Sequence, residues 1–259
     1  MTLATQTIYM AQRHARAFVR QPWFLGITLV QPMIWLLFFG SLFQNVVNIP
    51  GFSTSNGSYL DYLTPGVVVM TALFSSGWSG MGVLEDLDRG ILDRFLVAPV
   101  HRSSLIYGRS LYNAVTVVIQ SLIVGGIGVL MGARYSGGVL GFGVLIVAAV
   151  LLGACFGALS DGMALVVRQR ESLIGVNTFV VLPLTFASSA FLPLNLAPSW
   201  IATVAKVNPL NWAVEAGRAA LGVDPDWTFV AVRLAALLLA ALLCAGLGTR
   251  AFRSYQRSV

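Results

Sequence analysis

The sequence predicts an all-α integral membrane protein with six transmembrane helices, and three observations carry that prediction. Of the 259 residues, 57% are hydrophobic and only 10% are charged, whereas a soluble domain carries about 25% charged residues to face water. The uncharged runs are long: Trp23 to Asn48 contains no ionisable side chain, and about 20 apolar residues are needed to span a hydrocarbon core. The basic residues sit in short segments between such runs, where the positive-inside rule places them. Their scatter, and the absence of any recognition motif, argue against nucleic-acid binding despite the net charge of +6.

The N-terminal segment differs in kind from the rest of the chain. Ala4, Ile8, Ala11, Ala15 and Phe18 share one helical stripe, and Tyr9, Arg13, Arg16 and Arg20 share another. This pattern predicts an amphipathic helix over 1–22 lying in the membrane interface, with its arginines toward lipid phosphates. The apolar stretch after it is too long for a signal-peptide core and lacks a small-residue cleavage site. Residues 23–259 then read as one transmembrane domain, with spans at 23–43, 61–83, 105–131, 139–167, 173–192 and 229–249. Twelve of the sixteen Lys and Arg lie on the side that holds both termini, the 84–104 loop and the 168–170 turn. That bias puts both termini in the cytoplasm. The arginine- and alanine-rich, lysine-poor usage fits a high-GC bacterium and hence a bacterial cell membrane.

The loops carry their own signals. Residues 44–60 are rich in Asn, Ser and Gly and read as a polar external loop. The segment 193–227 holds Pro193, Pro198, Pro209 and Pro225. Pro198 fits the start of one short helix, and Asn211 fits the cap of another that carries Trp212, Glu215 and Arg218. Neither helix is long enough to span, so both are expected to enter the outer leaflet and return, covered by protein or water. Gly125, Gly126, Gly128 and Gly132 suit close helix packing. Cys155 and Cys244 lie in apolar runs and read as small buried hydrophobes.

The densest charge lies at 84–99, with four of the ten acids. Leu84, Leu87, Ile91 and Phe95 repeat at helical spacing, opposite Asp86, Asp88, Arg89 and Asp93. Pro99 ends that expected helix, and Ser103 or Ser104 fits the cap of the third span. Charge alone leaves two alternatives: a docking face for a soluble protein, or a solvated, self-paired loop helix.

Three stretches resemble a known family. The first runs from Glu85 through Arg89-Gly90-Ile91-Leu92-Asp93-Arg94-Phe95-Leu96-Val97-Ala98-Pro99 to Arg102. The second is Ser189-Ala190-Phe191-Leu192-Pro193-Leu194 with Ala197-Pro198-Ser199-Trp200-Ile201. The third is Val207-Asn208-Pro209-Leu210-Asn211-Trp212-Ala213-Val214-Glu215-Ala216-Gly217-Arg218. In order and spacing they are similar to the ABC-2 type permeases, and among these to the daunorubicin-resistance-like (DrrB-like) drug and lipid exporters. Asp161 departs from the pattern, which has a small or apolar residue there; it is expected to face a watery vestibule or to approach Arg168.

The resemblance implies a partnership. The chain would pair with a second permease, identical or homologous, and with two ATP-binding subunits. Arg13, Arg16, Glu85, Asp86, Asp88, Arg89, Gly90, Asp93, Arg94, Phe95, Pro99 and Arg102 would contact those subunits. Pro193, Trp200, Asn208, Pro209, Trp212, Glu215 and Arg218 would belong to an external gate. The substrate path would run between the two permeases, near spans one, two and five.

Trp35, Phe38, Phe39, Phe74, Trp78, Phe179 and Phe186, with Asn177 as a polar contact, are candidates to line that path. Aromatics with one polar contact suit an apolar or amphipathic substrate, although lipid-facing or packing roles remain open for each. No G-x-x-x-x-G-K-[ST] occurs, and the one lysine, Lys206, falls on the external side. ATP and Mg are therefore expected on partner subunits, and no cofactor, metal or catalytic residue is expected in this chain. His14 and His101 have no nucleophile or acid at a recognisable spacing. The span interiors hold little ionisable material besides Asp161, which weighs against an ion-coupled carrier. The leading function is export of drugs or lipids; export of a polysaccharide or another envelope precursor is the alternative, and a secondary transporter or a scaffold is the third.

Overall fold

A computed structural model of the chain describes Tyr9 and residues 22–49, 52, 58–91 and 103–258. Every regular element among them is helical. The first helix, α1 (Pro22–Ile34), passes into a π-helical turn (Trp35–Phe39) and a final turn, α2 (Gly40–Leu42). After a 3-10 turn (Gln44–Asn48) come α3 (Tyr59–Gly77) and α4 (Ser79–Asp88), one rod interrupted at Trp78. Then follow α5 (Ser103–Leu130), α6 (Gly138–Val167) and α7 (Arg170–Phe186). A 3-10 turn (Leu194–Leu196) leads to α8 (Ser199–Val207), α9 (Pro209–Leu221) and α10 (Trp227–Ser258).

Local chemistry sets most of these ends. The Ser58 hydroxyl accepts from the Leu60 amide at 3.3 Å and caps α3. Gly132, at φ 106°, stops α5 in a conformation closed to side chains. Asp226 Oδ1 accepts from the Phe229 amide at 3.0 Å and starts α10. Arg168 ends α6 in the left-handed region, at φ 54°.

α3 is the central post: residues 62 to 73 are all buried. α6 lies against it and also carries α5, α9 and α10. Two glycine contacts let backbones meet. A Cβ on Gly66 of α3 would collide with the Ala190 carbonyl, and one on Gly137 or Gly141 would collide with the Ala220 carbonyl of α9. The Gly137 amide donates to the Leu221 carbonyl at 3.0 Å in the same seam. Of the four glycines expected to pack, Gly125 packs on the Phe142 ring and Gly128 on Thr64 and Tyr135, whereas Gly126 meets nothing and Gly132, beyond α5, serves the turn. α10 keeps Leu238, Leu239, Leu242, Leu243 and Leu247 on its exposed face, a surface suited to lipid.

Among the described residues, four helices are long and apolar enough to cross a membrane: Tyr59–Asp88, Gly108–Leu130, Gly138–Val167 and Trp227–Phe252. The chain is thus a multi-pass membrane protein. The other two expected spans are shorter, Thr28–Leu42 and the 17-residue α7. Several expected boundaries change, the last helix running past 249 to Ser258 among them. Span two continues past residue 83 to Asp88, because Val83 and Leu84 are buried in a second apolar cluster with Leu165, Leu173, Phe252 and Tyr255. The helix expected to run unbroken to Pro99 stops at Asp88, where Arg89 and Gly90 form a turn and Gly90 takes φ 62°. α7 ends at Phe186 rather than 192, since Pro183 removes one amide from its last turn.

Candidate functional site

The irregular backbone after α7 is held by side chains from α9. Beyond Ala187, whose amide closes the last turn of α7 on the Pro183 carbonyl, residues 188–192 are irregular, and Ala187 to Ala190 are buried. Buried backbone groups need hydrogen bonds, and here they receive them from three residues of one motif. Asn208 Nδ2 donates to the carbonyls of Leu184 and Ala187, at 2.7 and 2.8 Å. Its Oδ1 accepts from the Leu210 amide at 3.0 Å, so the same side chain caps α9, with Pro209 in the first turn. Asn211 Oδ1 accepts from the Ser189 amide at 2.9 Å.

Arg218 completes the clamp. Its Nη1 donates to the Ser189 carbonyl at 2.6 Å, and its Nη2 to those of Ala190 and Tyr62, at 2.8 and 2.9 Å. Nε also donates to Tyr62 O, at 3.0 Å, and the guanidinium lies 3.4 Å from the Tyr62 ring centroid. One cation thereby joins α3, α9 and the segment after α7. The Tyr59 and Tyr62 hydroxyls donate into that segment too, to Phe191 O at 3.0 Å and Ser189 O at 2.8 Å. Glu215 accepts from Asn211 Nδ2 at 2.9 Å and pairs with Arg233 of α10 at 2.8 Å. Trp212 Nε1 donates to the Lys206 carbonyl at 2.7 Å, which folds α8 back on α9. Pro193 lies just beyond the clamp, and Trp200 is exposed on α8.

Between α1 and α3 lies a cleft of about 200 Å³. Trp35, Phe74 and Trp78 line it, with Val67 and Met70 as further apolar wall. Thr28, Gln31, Thr71 and Ser75 supply polar points, and Pro32 completes the lining. The remaining predicted aromatics divide. Phe39 stacks on Trp35 at 5.4 Å and on Phe43 at 5.5 Å, and lies 5.3 Å from Phe191, so it packs beside the cleft. Phe186 lies 6.4 Å from Trp35. Phe38 and Phe179 point outward from the bundle, Phe179 being 80% exposed. Asn177 sits against Gly77, where a Cβ would strike its side chain. Hydropathy hides Thr28, Thr71 and Ser75, because hydroxyls occur throughout spans; they lie on the cleft side of α1 and α3, which only the helix pairing reveals.

A second clamp holds the interruption at Trp78. Ser160 Oγ accepts from the Gly80 amide at 3.0 Å and donates to the Gly77 carbonyl at 2.5 Å. Asp161 Oδ1 accepts from the Ser79 hydroxyl at 2.8 Å. Asp161 therefore does not approach Arg168, contrary to the expectation from their spacing. Arg168 leaves the helix in its left-handed conformation and places its guanidinium 4.9 Å from the Tyr255 ring centroid. Nearby, the Asn113 amide donates to Ser76 Oγ at 3.0 Å and to Gly153 O at 3.1 Å.

The charged segment begins in α4. Asp86 pairs with Arg109 at 3.2 Å, with both side chains largely covered. Asp88 pairs with Arg170 at 2.6 Å and Glu85 with Arg89 at 2.5 Å, all four exposed. Gly90 sits in the turn after them. Arg13, Arg16, Asp93, Arg94, Phe95, Pro99 and Arg102 lie outside the described residues, as do His14, His101 and the expected interfacial helix except Tyr9, which is exposed.

Comparison with known proteins agrees with this architecture. A family model described as ABC-2 type transporter matches residues 5–222. The transport permease designated ycf38 of Porphyra purpurea is 33% identical over 219 residues, covering 81% of this chain and 71% of that protein. The daunorubicin resistance ABC transporter permease protein DrrB1 of Streptomyces coeruleorubidus is 26% identical, covering 84% of this chain and 75% of its own length. The doxorubicin resistance permease DrrC of Mycobacterium tuberculosis is 27% identical over 74% of this chain and 69% of its own. A match across most of the chain, joined to a helical membrane bundle, has one meaning: the protein belongs to the ABC-2 type transporter family.

Proposed function

We propose that this chain is the membrane-spanning half of an ATP-driven exporter of hydrophobic or amphipathic compounds, such as drugs or lipids. The cleft between α1 and α3 carries the reading: Trp35, Phe74, Trp78, Val67 and Met70 give an apolar wall, and four hydroxyl or amide side chains give polar points. Such a lining suits a ligand with one greasy face and a few hydrogen-bonding groups. The exposed faces of α1 and α7 beside it, with Val30, Met33, Leu37, Phe38, Phe179 and Phe186, suit a second permease. Two ATP-binding subunits would supply ATP and Mg and would dock on α4 and the residues beyond it. Both termini would face the cytoplasm of a bacterial cell, which sets the Arg218 clamp toward the outside.

The test is transport by the assembled complex. Inverted vesicles holding this chain with its ATP-binding subunit should accumulate a fluorescent cationic amphiphile when ATP is added. Trp78→Ala should slow the initial rate several-fold while the ATP-binding subunit still co-purifies. Accumulation of a polyisoprenyl-linked sugar and not of the amphiphile would replace this reading with export of an envelope precursor. Docking is tested separately by Arg89→Glu, chosen because Arg89 is exposed and pairs locally with Glu85. Loss of the ATP-binding subunit from a well-folded variant is the expected outcome, and full retention would remove that contact. For topology, a cysteine at Ser55 should react with an impermeant maleimide on intact cells and one at Ser103 should not; the reverse result inverts the orientation.

A further inference from the structure

Cys155 and Cys244 are the chain's two cysteines, and the fold brings them together. They lie 89 positions apart, on α6 and α10, with their sulfurs 3.0 Å from each other. Both are free thiols; Cys155 is buried and Cys244 is half-buried. The seam around them is unusually close. One to two turns away, a Cβ on Gly162 would meet the Gly248 Cα at 3.1 Å, and a Cβ on Gly248 would meet the Ala158 carbonyl at 2.8 Å. On the other side of the pair, Leu237 and Ala241 of α10 are buried against the core. With the sulfurs 3.0 Å apart, a bond of about 2 Å needs only a small closing movement across this seam. Nothing in the proposed transport cycle uses these thiols.

We propose that Cys155 and Cys244 form a dithiol site that reacts with lipid-soluble disulfides and closes into an intramolecular bridge between α6 and α10. The half-buried sulfur reacts first, because Cys244 is flanked by exposed Leu242, Leu243 and Leu247, where an apolar reagent arrives through lipid. Deprotonated Cys244 attacks one sulfur of R–S–S–R. A protein–reagent disulfide forms, the S–S bond of the reagent breaks, and the leaving RS⁻ takes up the proton that Cys244 gave. Deprotonated Cys155 then attacks Cys244 Sγ, the mixed disulfide breaks, and the second RS⁻ takes the proton of Cys155. Two protein thiols are oxidised and one R–S–S–R is reduced to two RSH. The product staples the last helix to the fourth-span helix across everything from α7 to α9.

The probe is 2,2′-dipyridyl disulfide, whose leaving group is read by absorbance. The full-length protein in detergent or nanodiscs should release two thiopyridones per chain and keep no pyridylthio adduct, and its mass should fall by about 2 Da. Cys155→Ser should stop at the mixed disulfide, with one thiopyridone released and the adduct retained on Cys244. The oxidised wild-type chain should also melt at a higher temperature than the reduced one, because closure restricts the unfolded chain. A wild-type protein that retains the adduct overturns the proposal. So does one that bridges only between two chains on a non-reducing gel, or one whose two thiols both remain open to maleimide. An unchanged melting temperature in the closed form removes the stapling role.

Discussion

Among the described residues, the backbone breaks after α7 and at Trp78 are each held by a neighbour, and the chemistry of the two repairs differs. Beyond α7 the open groups are mostly carbonyls, at a helix C-terminal end, while the Ser189 amide is answered by Asn211 Oδ1. The carbonyls are met by donors: the Asn208 amide and the Arg218 guanidinium. At Trp78 a new helix, α4, begins, and its first turn offers donors. The repair there includes acceptors: Ser160 Oγ for the Gly80 amide and the Asp161 carboxylate for the Ser79 hydroxyl. Arg218 spans more than one helix end, since it also holds the Tyr62 carbonyl in the first turn of α3. Each polar side chain is thus matched to the backbone or hydroxyl groups that a break leaves open.

The contrast is tested most severely at Arg218. Arg218→Met fills similar volume but leaves the Tyr62, Ser189 and Ala190 carbonyls without this donor, and should lower stability by about 3–5 kcal/mol. A thermal melt of the purified protein in detergent checks this, with Arg218→Lys expected between the two because one ammonium replaces only part of the fork. A melt of Arg218→Met equal to wild type would mean that the clamp is ornamental. Asn208→Ala comes next, at about 2 kcal/mol, since it removes two donors and a cap together. Proteolysis at the 187–197 segment should accelerate in that variant, and an unchanged cleavage pattern would count against it.

Asp161 tests the second repair. Asp161→Ala should cost about 1–2 kcal/mol, from the loss of its hydrogen bond with Ser79. Asp161→Asn keeps an acceptor for Ser79 and should recover much of that loss; equal effects in the two variants would show that the hydrogen bond is not what matters. The smallest effect belongs to Asp88→Asn at the exposed pair with Arg170, under about 0.5 kcal/mol. Any change there is expected to fade as salt rises, which a melt at two ionic strengths reads out.

The sequence reveals these regions unequally. Long apolar runs mark α3, α5, α6 and α10 because hydropathy is a sum over many residues and tolerates local detail. The same sum carries the fifth span on to 192, past Pro183, whereas the helix ends at Phe186. What Arg218 binds is not legible. Its acceptors are backbone carbonyls 28, 29 and 156 positions away, and backbone carries no sequence signature. Asp161 and Arg168 have the spacing of one helical face, yet the left-handed turn at Arg168 sends that side chain toward α10. The cleft shows the same limit. Its aromatic wall is visible as large side chains in spans one and two, while Phe38 and Phe179 have the same composition and face outward.

The π-helical turn at Trp35–Phe39 has a geometric consequence for the first helix. A π turn holds one more residue than an α turn. Rings four positions apart then stand nearly above one another, so Trp35 and Phe39 stack with 11° between their planes. The turn is a vernier in the rod: removing its surplus residue would rotate everything beyond it by about 100° relative to everything before it. Phe43 would leave the Tyr59 ring, while Thr28 and Gln31 would keep their place. Sliding such a defect along the helix would turn one face of the first span to another without unfolding it.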